Sequence, residues 1–220
     1  MAIEFYVGSG SQYAWRVWLA LEHKQIPYEL KLLSFSAGDT KKAAFLALNP
    51  RGKVPVVVDD GFVLYESAAI LEYLEDQYPS TSTRAHLFPK DIKPRARARR
   101  QIREVDEYLG HAVETLAQQV LFTEASQRNS EVMQQAMTTL GRELLFFEGI
   151  IRGPFIDTDV SAVDFTLYPY IALARRYPRF VPELNIEALI GPTVRAWMTQ
   201  VESLPYFERT VPPHWKQKQS

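Results

Sequence analysis

Val56-Val-Val-Asp-Asp-Gly-Phe-Val-Leu64 sets two short apolar runs on either side of an Asp-Asp-Gly turn. Aspartate followed by glycine accepts the positive φ angles of a tight hairpin, so the two runs are expected to pair as antiparallel neighbours. Upstream, Ile3 to Val7 reads as a buried strand, and Ala14, Val17, Trp18 and Leu21 then recur at helical spacing. Tyr28 to Leu33 alternates as a second strand, and Lys41 to Leu48 reads as a helix stopped by Asn49-Pro50. Downstream, Ser67 offers an N-cap to a helix whose apolar positions are Ile70, Leu71 and Leu74. The order is therefore β-α-β-α-β-β-α. Its early strands connect through helices, which favours parallel pairing, and its last two form the hairpin. A mixed four-stranded sheet with helices on its faces is predicted.

Pro79 to Pro94 carries turn and proline signals without a period, which suggests a linker. Beyond it the pattern is helical: Val105, Leu109, Ala112, Val113, Leu116 and Val120 in one helix, then Met133, Met137, Leu140, Leu144, Phe147 and Ile151 in another. Ser161-Ala-Val-Asp164 has the spacing of a capping box and starts a third helix through Val163, Leu167, Ile171 and Ala174. A last helix through Trp197, Met198 and Val201 ends before Pro205. The expected fold class is α/β plus all-α, with an α/β domain over 1–80, a linker over 81–92 and a helical bundle domain over 93–220.

At 46% hydrophobic and 23% charged residues, the chain has enough apolar material for two cores. A formal net charge of −1 gives no whole-chain attraction to nucleic acid or to an anionic membrane. The absence of cysteine removes disulfides and protein thiol chemistry, and it fits a reducing, cytoplasmic setting. Four histidines, none paired on a helical face, point to no metal site. The N-terminal stretch lacks the basic-then-apolar pattern of a leader, and no apolar run approaches the roughly 20 residues of a membrane span.

Three segments bear chemistry. In Gly8-Ser-Gly-Ser-Gln-Tyr-Ala14 the glycines allow a sharp strand-to-helix turn, and Ser9 or Ser11 would lie at a helix N-terminus, as a cap or beside a bound anion. In Gly52-Lys-Val-Pro55 a proline precedes a strand, and a cis bond is plausible there. Glu66 and Ser67 offer an acceptor for an ammonium group, and a hydroxyl with free helix N–H groups for a carboxylate. Together these groups suit a zwitterionic amino-acid end.

Ser11 through Val17, Asn49-Pro-Arg-Gly-Lys-Val-Pro55 and Glu66-Ser-Ala-Ala-Ile-Leu-Glu-Tyr-Leu74 resemble the N-terminal, thioredoxin-like domain of cytosolic glutathione transferases, serine-type and tau-, zeta- or theta-like. Ser161 to Asp164 resembles the capping motif of that family's helical domain. The resemblance implies that glutathione is the co-substrate. It implies that Val54 pairs with the cysteinyl backbone beside a cis Pro55, that Glu66 and Ser67 hold the γ-glutamyl end, and that Lys53 meets the glycyl carboxylate. Ser11 falls where serine-type members hold the thiolate, with Tyr6 and Tyr13 as rivals, and Gln12 stands where a proline is often found.

Tyr13, Tyr108, His111 and Trp215 are candidates for the electrophile site by the same resemblance. The implied activity is glutathione conjugation to small hydrophobic electrophiles in detoxification, with organic hydroperoxide reduction beside it, in a homodimer. The alternatives are a glutathione-dependent isomerase of maleylacetoacetate-like compounds, although the Ser-Ser-Cys run of zeta members is absent, and a non-catalytic binding module. Lys90, Lys93, Arg95, Arg97, Arg99, Arg100 and Arg103 form a basic stretch, but helical geometry spreads them around the axis and no aromatic interleaves, so nucleic acid is not the expected partner.

Overall fold

The computed structural model describes residues 2–81 and 85–216. Its first elements follow the expected order: β1 (Ile3–Gly8), α1 (Gln12–His23), β2 (Tyr28–Leu33), α2 (Ala43–Leu48), β3 (Val56–Asp59), β4 (Phe62–Tyr65) and α3 (Ser67–Gln77). The sheet order is β2-β1-β3-β4, with β1 parallel to β2 and antiparallel to β3. Val56 pairs with Tyr65 and Asp59 with Phe62, and Asp60 and Gly61 both take positive φ, as the hairpin turn requires. A 3₁₀ turn at Asp39–Lys41 precedes α2, which starts two residues later than its apolar pattern suggests. The sheet core is made by Ile3, Phe5, Val56 and Val57, all inaccessible to solvent. Phe5 meets Trp18 of α1 edge-on at 6.3 Å.

This first compact unit comprises the chain up to Pro89 together with the segment from Pro205 onward; the second runs from Lys90 to Leu204. The boundary therefore departs from the helical domain expected over 93–220. After Pro205, two unforeseen short helices, α9 (Phe207–Thr210) and α10 (Pro213–Lys216), bring the tail against α1. The physical reason is Trp15, whose Nε1 donates to Thr210 Oγ1 at 2.9 Å and whose ring receives Phe207 and Trp215. Part of the expected linker, 82–84, lies outside the described residues.

The end of α1 is tied down by buried polar groups. Lys24, inaccessible to solvent, donates to Glu75 Oε2 at 2.6 Å, while Leu87 N and His86 Nδ1 complete the carboxylate's partners at 3.0 and 2.9 Å. Burial alone would raise the Glu75 carboxyl, but Lys24 and these bonds outweigh it and hold it below the usual range. His23 Nδ1 lies 2.7 Å from the Tyr206 hydroxyl, and burial lowers its pKa to about 4.

The second unit holds α4 (Ile92–Glu104), α5 (Gly110–Leu121), α6 (Ser130–Ile150), α7 (Ala162–Ala174) and α8 (Pro192–Glu202). The period read through Val105 and Val120 is interrupted by a π-helical turn, Val105–Leu109, joining α4 to α5. There Tyr170 of α7 donates to Asp106 at 3.1 Å and packs so tightly on Gly110 that an added Cβ would sit 3.0 Å from its ring. α7 is buried along nearly its whole length, and its capping box forms as the sequence indicates. Asp164 accepts from Ser161 N and Oγ, Ile156 N and Trp197 Nε1, all at 2.8–2.9 Å. Burial raises its carboxyl against the pull of these donors.

Two outcomes are expected. Asp164→Ala strands two buried donors, Ile156 N and Trp197 Nε1, and two half-buried ones on Ser161, so urea unfolding should show a loss of about 3 kcal/mol or more. For His23, the folded pKa lies below the unfolded one near 6.5, so its contribution is complete above pH 6.5 and is lost as pH falls toward 4. It amounts to about 3 kcal/mol at most. His23→Gln should flatten the stability curve in that window, which unfolding at stepped pH would measure.

Candidate functional site at the end of the sheet

Strand register brings the three chemistry-bearing segments together. The β3–β4 ladder ends at Val56 and Tyr65, so Val54-Pro55 and Glu66-Ser67 leave it at the same end of the sheet. Extending the β1–β3 pairing beyond Tyr6 and Val56 carries Val54 toward Gly8, where the Ser11 turn begins. The three segments thus meet at one end of the sheet, beside the N-termini of α1 and α3.

Ser11 is the N-cap of α1, its Oγ accepting from Ala14 N at 3.3 Å. The turn before it closes through Ser11 N and Gly8 O at 3.1 Å, and Gly10 takes φ +88°, a region that glycine enters without cost. Tyr6 sits differently: its hydroxyl donates to Glu4 at 2.7 Å, and its ring lies beside Phe45 of α2. That bond to Glu4, then burial and the charges of Glu4 and Glu29, push the phenol up to about 12. Tyr13 is half-buried in the first turn of α1, with the Arg16 guanidinium 5.2 Å from its ring centre.

Arg16 was not among the residues singled out from the sequence. It is buried, and its Nε and Nη2 donate to Ser67 Oγ at 2.9 and 2.6 Å. Ser67 is consequently the first residue of α3 and not its cap; Glu66 precedes the helix without a capping side-chain bond. Because guanidinium N–H groups occupy the lone-pair side of Ser67 Oγ, the hydroxyl proton is directed elsewhere, available to an acceptor. Only the buried environment marks Arg16, since in sequence it is one cation within an apolar helix pattern.

Glu66 is exposed and strained, with φ 71° and ψ 102°. Val54 is buried, the Val54–Pro55 bond is cis, and Lys53 is exposed. Asn49 shapes this loop: buried itself, it donates to Lys53 O at 2.7 Å and accepts from Arg51 N at 3.0 Å. Phe35, also unforeseen, lays its ring against Gly8, where any Cβ would fall 2.2 Å from Cζ. Trp215 meets Trp15 edge-on at 5.2 Å within the first unit. Tyr108 and His111 belong to the second unit, where both are exposed, in the π-helical turn and on α5.

Residues 10–77 match the family model for the glutathione S-transferase N-terminal domain. Over 213 residues the chain is 29% identical to glutathione S-transferase A of Pleuronectes platessa, covering 94% of this chain and 90% of that one. The chain carries a glutathione S-transferase N-terminal domain and is similar to glutathione transferases over nearly its whole length. Among relatives it is also 27% identical, over 206 residues, to probable maleylacetoacetate isomerase 2 of Drosophila melanogaster, covering 92% of this chain and 84% of that protein. A glutathione transferase of Burkholderia graminis, solved with two glutathione molecules per subunit, shares the fold at a TM-score of 0.83. It is 22% identical, with 98% of this chain and 90% of that one covered. The transferase fold thus accounts for both the mixed sheet and the helical second unit.

Positive φ at Glu66 carries a strain of about 1–3 kcal/mol that glycine does not incur. Urea unfolding should therefore find Glu66→Gly more stable than Glu66→Ala by about 1 kcal/mol. Equal stabilities would show that the backbone there relaxes.

Proposed function

We propose that the end of the sheet binds glutathione and that Ser11 holds its sulfur as the thiolate, for attack on a small hydrophobic electrophile. The observation carrying this reading is the convergence of the Ser11 turn, Val54-Pro55 and Glu66-Ser67, with Arg16 orienting Ser67. In this assignment the γ-glutamyl ammonium lies on Glu66, and its carboxylate on Ser67 and the α3 N–H groups. The cysteinyl backbone pairs with Val54, which stands just beyond the end of the strand ladder, and the glycyl carboxylate meets Lys53.

An unperturbed thiol of pKa about 8.5 is only a few per cent ionised at neutral pH. A hydrogen bond to the charged sulfur contributes about 1.5–3 kcal/mol, which lowers that pKa by about one to two units. The proton leaves to solvent, and the sulfur lone pair forms the new bond to the electrophilic carbon as a halide departs with its bonding pair or, for an enone, as the C=C π pair shifts toward the carbonyl oxygen and the product is protonated from solvent. Ser11 suits the task because its oxygen serves the helix while its proton stays available; the proton of Tyr6 is engaged by Glu4. Trp215, seated on Trp15, is the electrophile contact best supported within the first unit.

The Drosophila relative supports a second reading, glutathione-dependent isomerisation of a maleylacetoacetate-like compound. Halides, enones, hydroperoxides and maleylacetoacetate analogues assayed side by side separate the two. A homodimer in the cytoplasm is the assembly and location proposed with this activity.

Ultraviolet titration of bound glutathione gives the test. Ser11→Ala should raise the bound-thiol pKa by about one to two units and cut turnover at pH 7 about tenfold or more. Unchanged pKa and turnover would remove Ser11 from the mechanism, and failure of the parent to bind immobilised glutathione would favour a non-catalytic module.

A further inference from the structure

The Ser11 turn is flanked by glycine at positions 8 and 10, so its backbone has wide conformational freedom in isolation. In the folded chain a side chain from the far end of the sequence sits on it. His214 Nδ1 lies 2.5 Å from Ser9 Oγ, bridging 205 positions of sequence. The same imidazole fills the space over Gly10, where an added Cβ would be 2.9 Å from His214 Cε1 and 3.4 Å from its Nε2.

α10 holds the imidazole there. Trp215 anchors α10 edge-on against buried Trp15, and Trp215 N donates to Pro212 O at 2.8 Å. Lys216 Nζ donates to Glu208 O of α9, and Thr210 of α9 is itself bonded to Trp15. Trp15 is the fourth residue of α1, the helix that Ser11 caps. Tail and turn are thus both referred to one buried ring.

We infer that His214 is a positioning residue for the thiol-activating turn: it fixes Ser9 and Gly10 from outside, and thereby fixes the direction in which the Ser11 hydroxyl points. This rests on the reading of Ser11 given above. A hydroxyl that samples several directions stabilises a thiolate less than one held in place, because the favourable geometry must then be selected from an ensemble. The consequence belongs to the thiolate and not to the anchoring of glutathione, whose ends are assigned to Lys53, Glu66 and Ser67.

The experiment uses the full chain, with the parent, Ser11→Ala, Ser9→Ala, His214→Ala and His214→Gln compared by ultraviolet titration of bound glutathione, steady-state kinetics with one aryl halide, and thermal unfolding. His214→Ala and Ser9→Ala should each raise the bound-thiol pKa by about half a unit to one unit and lower kcat near pH 7 about three- to tenfold. KM for glutathione should change less than about twofold. A further variant carrying both Ser9→Ala and His214→Ala should be no worse than either single one, since both remove the same bond. His214→Gln, whose amide can still bond Ser9, should recover most of the loss. A pKa that rises in Ser11→Ala but not in His214→Ala overturns the latch while leaving the Ser11 reading intact. A pKa that moves in neither overturns the Ser11 reading itself. An effect confined to KM, or one that tracks the unfolding temperature and is not recovered by glutamine, also overturns the latch.

Discussion

Two buried cations pin α1 to α3. Arg16 donates twice to Ser67, and Lys24 donates to Glu75; both pairs are separated by 51 positions, so the helices run side by side in one register. The two pins are eight positions apart on each side, about 12 Å at a rise of 1.5 Å per residue. A single contact would leave α3 free to rock about it, whereas two fix both its position and its direction. The pin at Lys24 also gathers Leu87 and His86 onto Glu75, so the chain leaving α3 is held by the same carboxylate. Removing Lys24 would leave the buried Glu75 carboxylate without its cation, and removing Arg16 would take two donors from Ser67 Oγ, so the arrangement tolerates little change.

The consequence for the site is that its donors are fixed by different parts of the fold. The hairpin brings Val54 and Ser67 to the same end of the sheet, the α1–α3 pins set how Ser67 is rotated, and Asn49 shapes the loop that delivers Lys53. Glu66 absorbs the mismatch between strand and helix in its own backbone. The second unit solves a separate problem, organised around the Asp164 carboxylate, which joins the capping box of α7 to Trp197 of α8.

Much of this was legible in the sequence because it rests on short-range rules. The Asp-Asp-Gly hairpin, the capping box at Ser161 and the alternation of strands and helices are each set within a dozen residues; the first and last of these imply a mixed sheet but not its strand order, which depends on long-range pairing of β1 with β3. Ser67 as a cap was the natural short-range reading, and it yields because Arg16, 51 positions away, competes for the same oxygen. Neither Arg16 nor Lys24 differs in sequence from a surface cation; burial alone gives them their role. The interrupted helix at Val105–Leu109 escaped because its apolar spacing continues through the π-helical turn, and the tail escaped because it is too short for a period to develop.

Ser11 shows why capping and sulfur activation need not compete. A hydroxyl has two lone pairs and one proton. The helix N-terminus takes a lone pair through Ala14 N–H, and in the proposed reading the hydroxyl donates its hydrogen bond to the thiolate. The polarity of the cap favours the second bond, because the N–H donor withdraws density from the oxygen and the helix dipole favours negative charge at this end. A tyrosine on β1 has no such arrangement: Glu4 already accepts the proton of Tyr6, and turning that phenol to a sulfur would leave a carboxylate facing it without a donor. In the proposed reading, charge balance at the head of α1 thus favours the serine over the tyrosine before any substrate arrives.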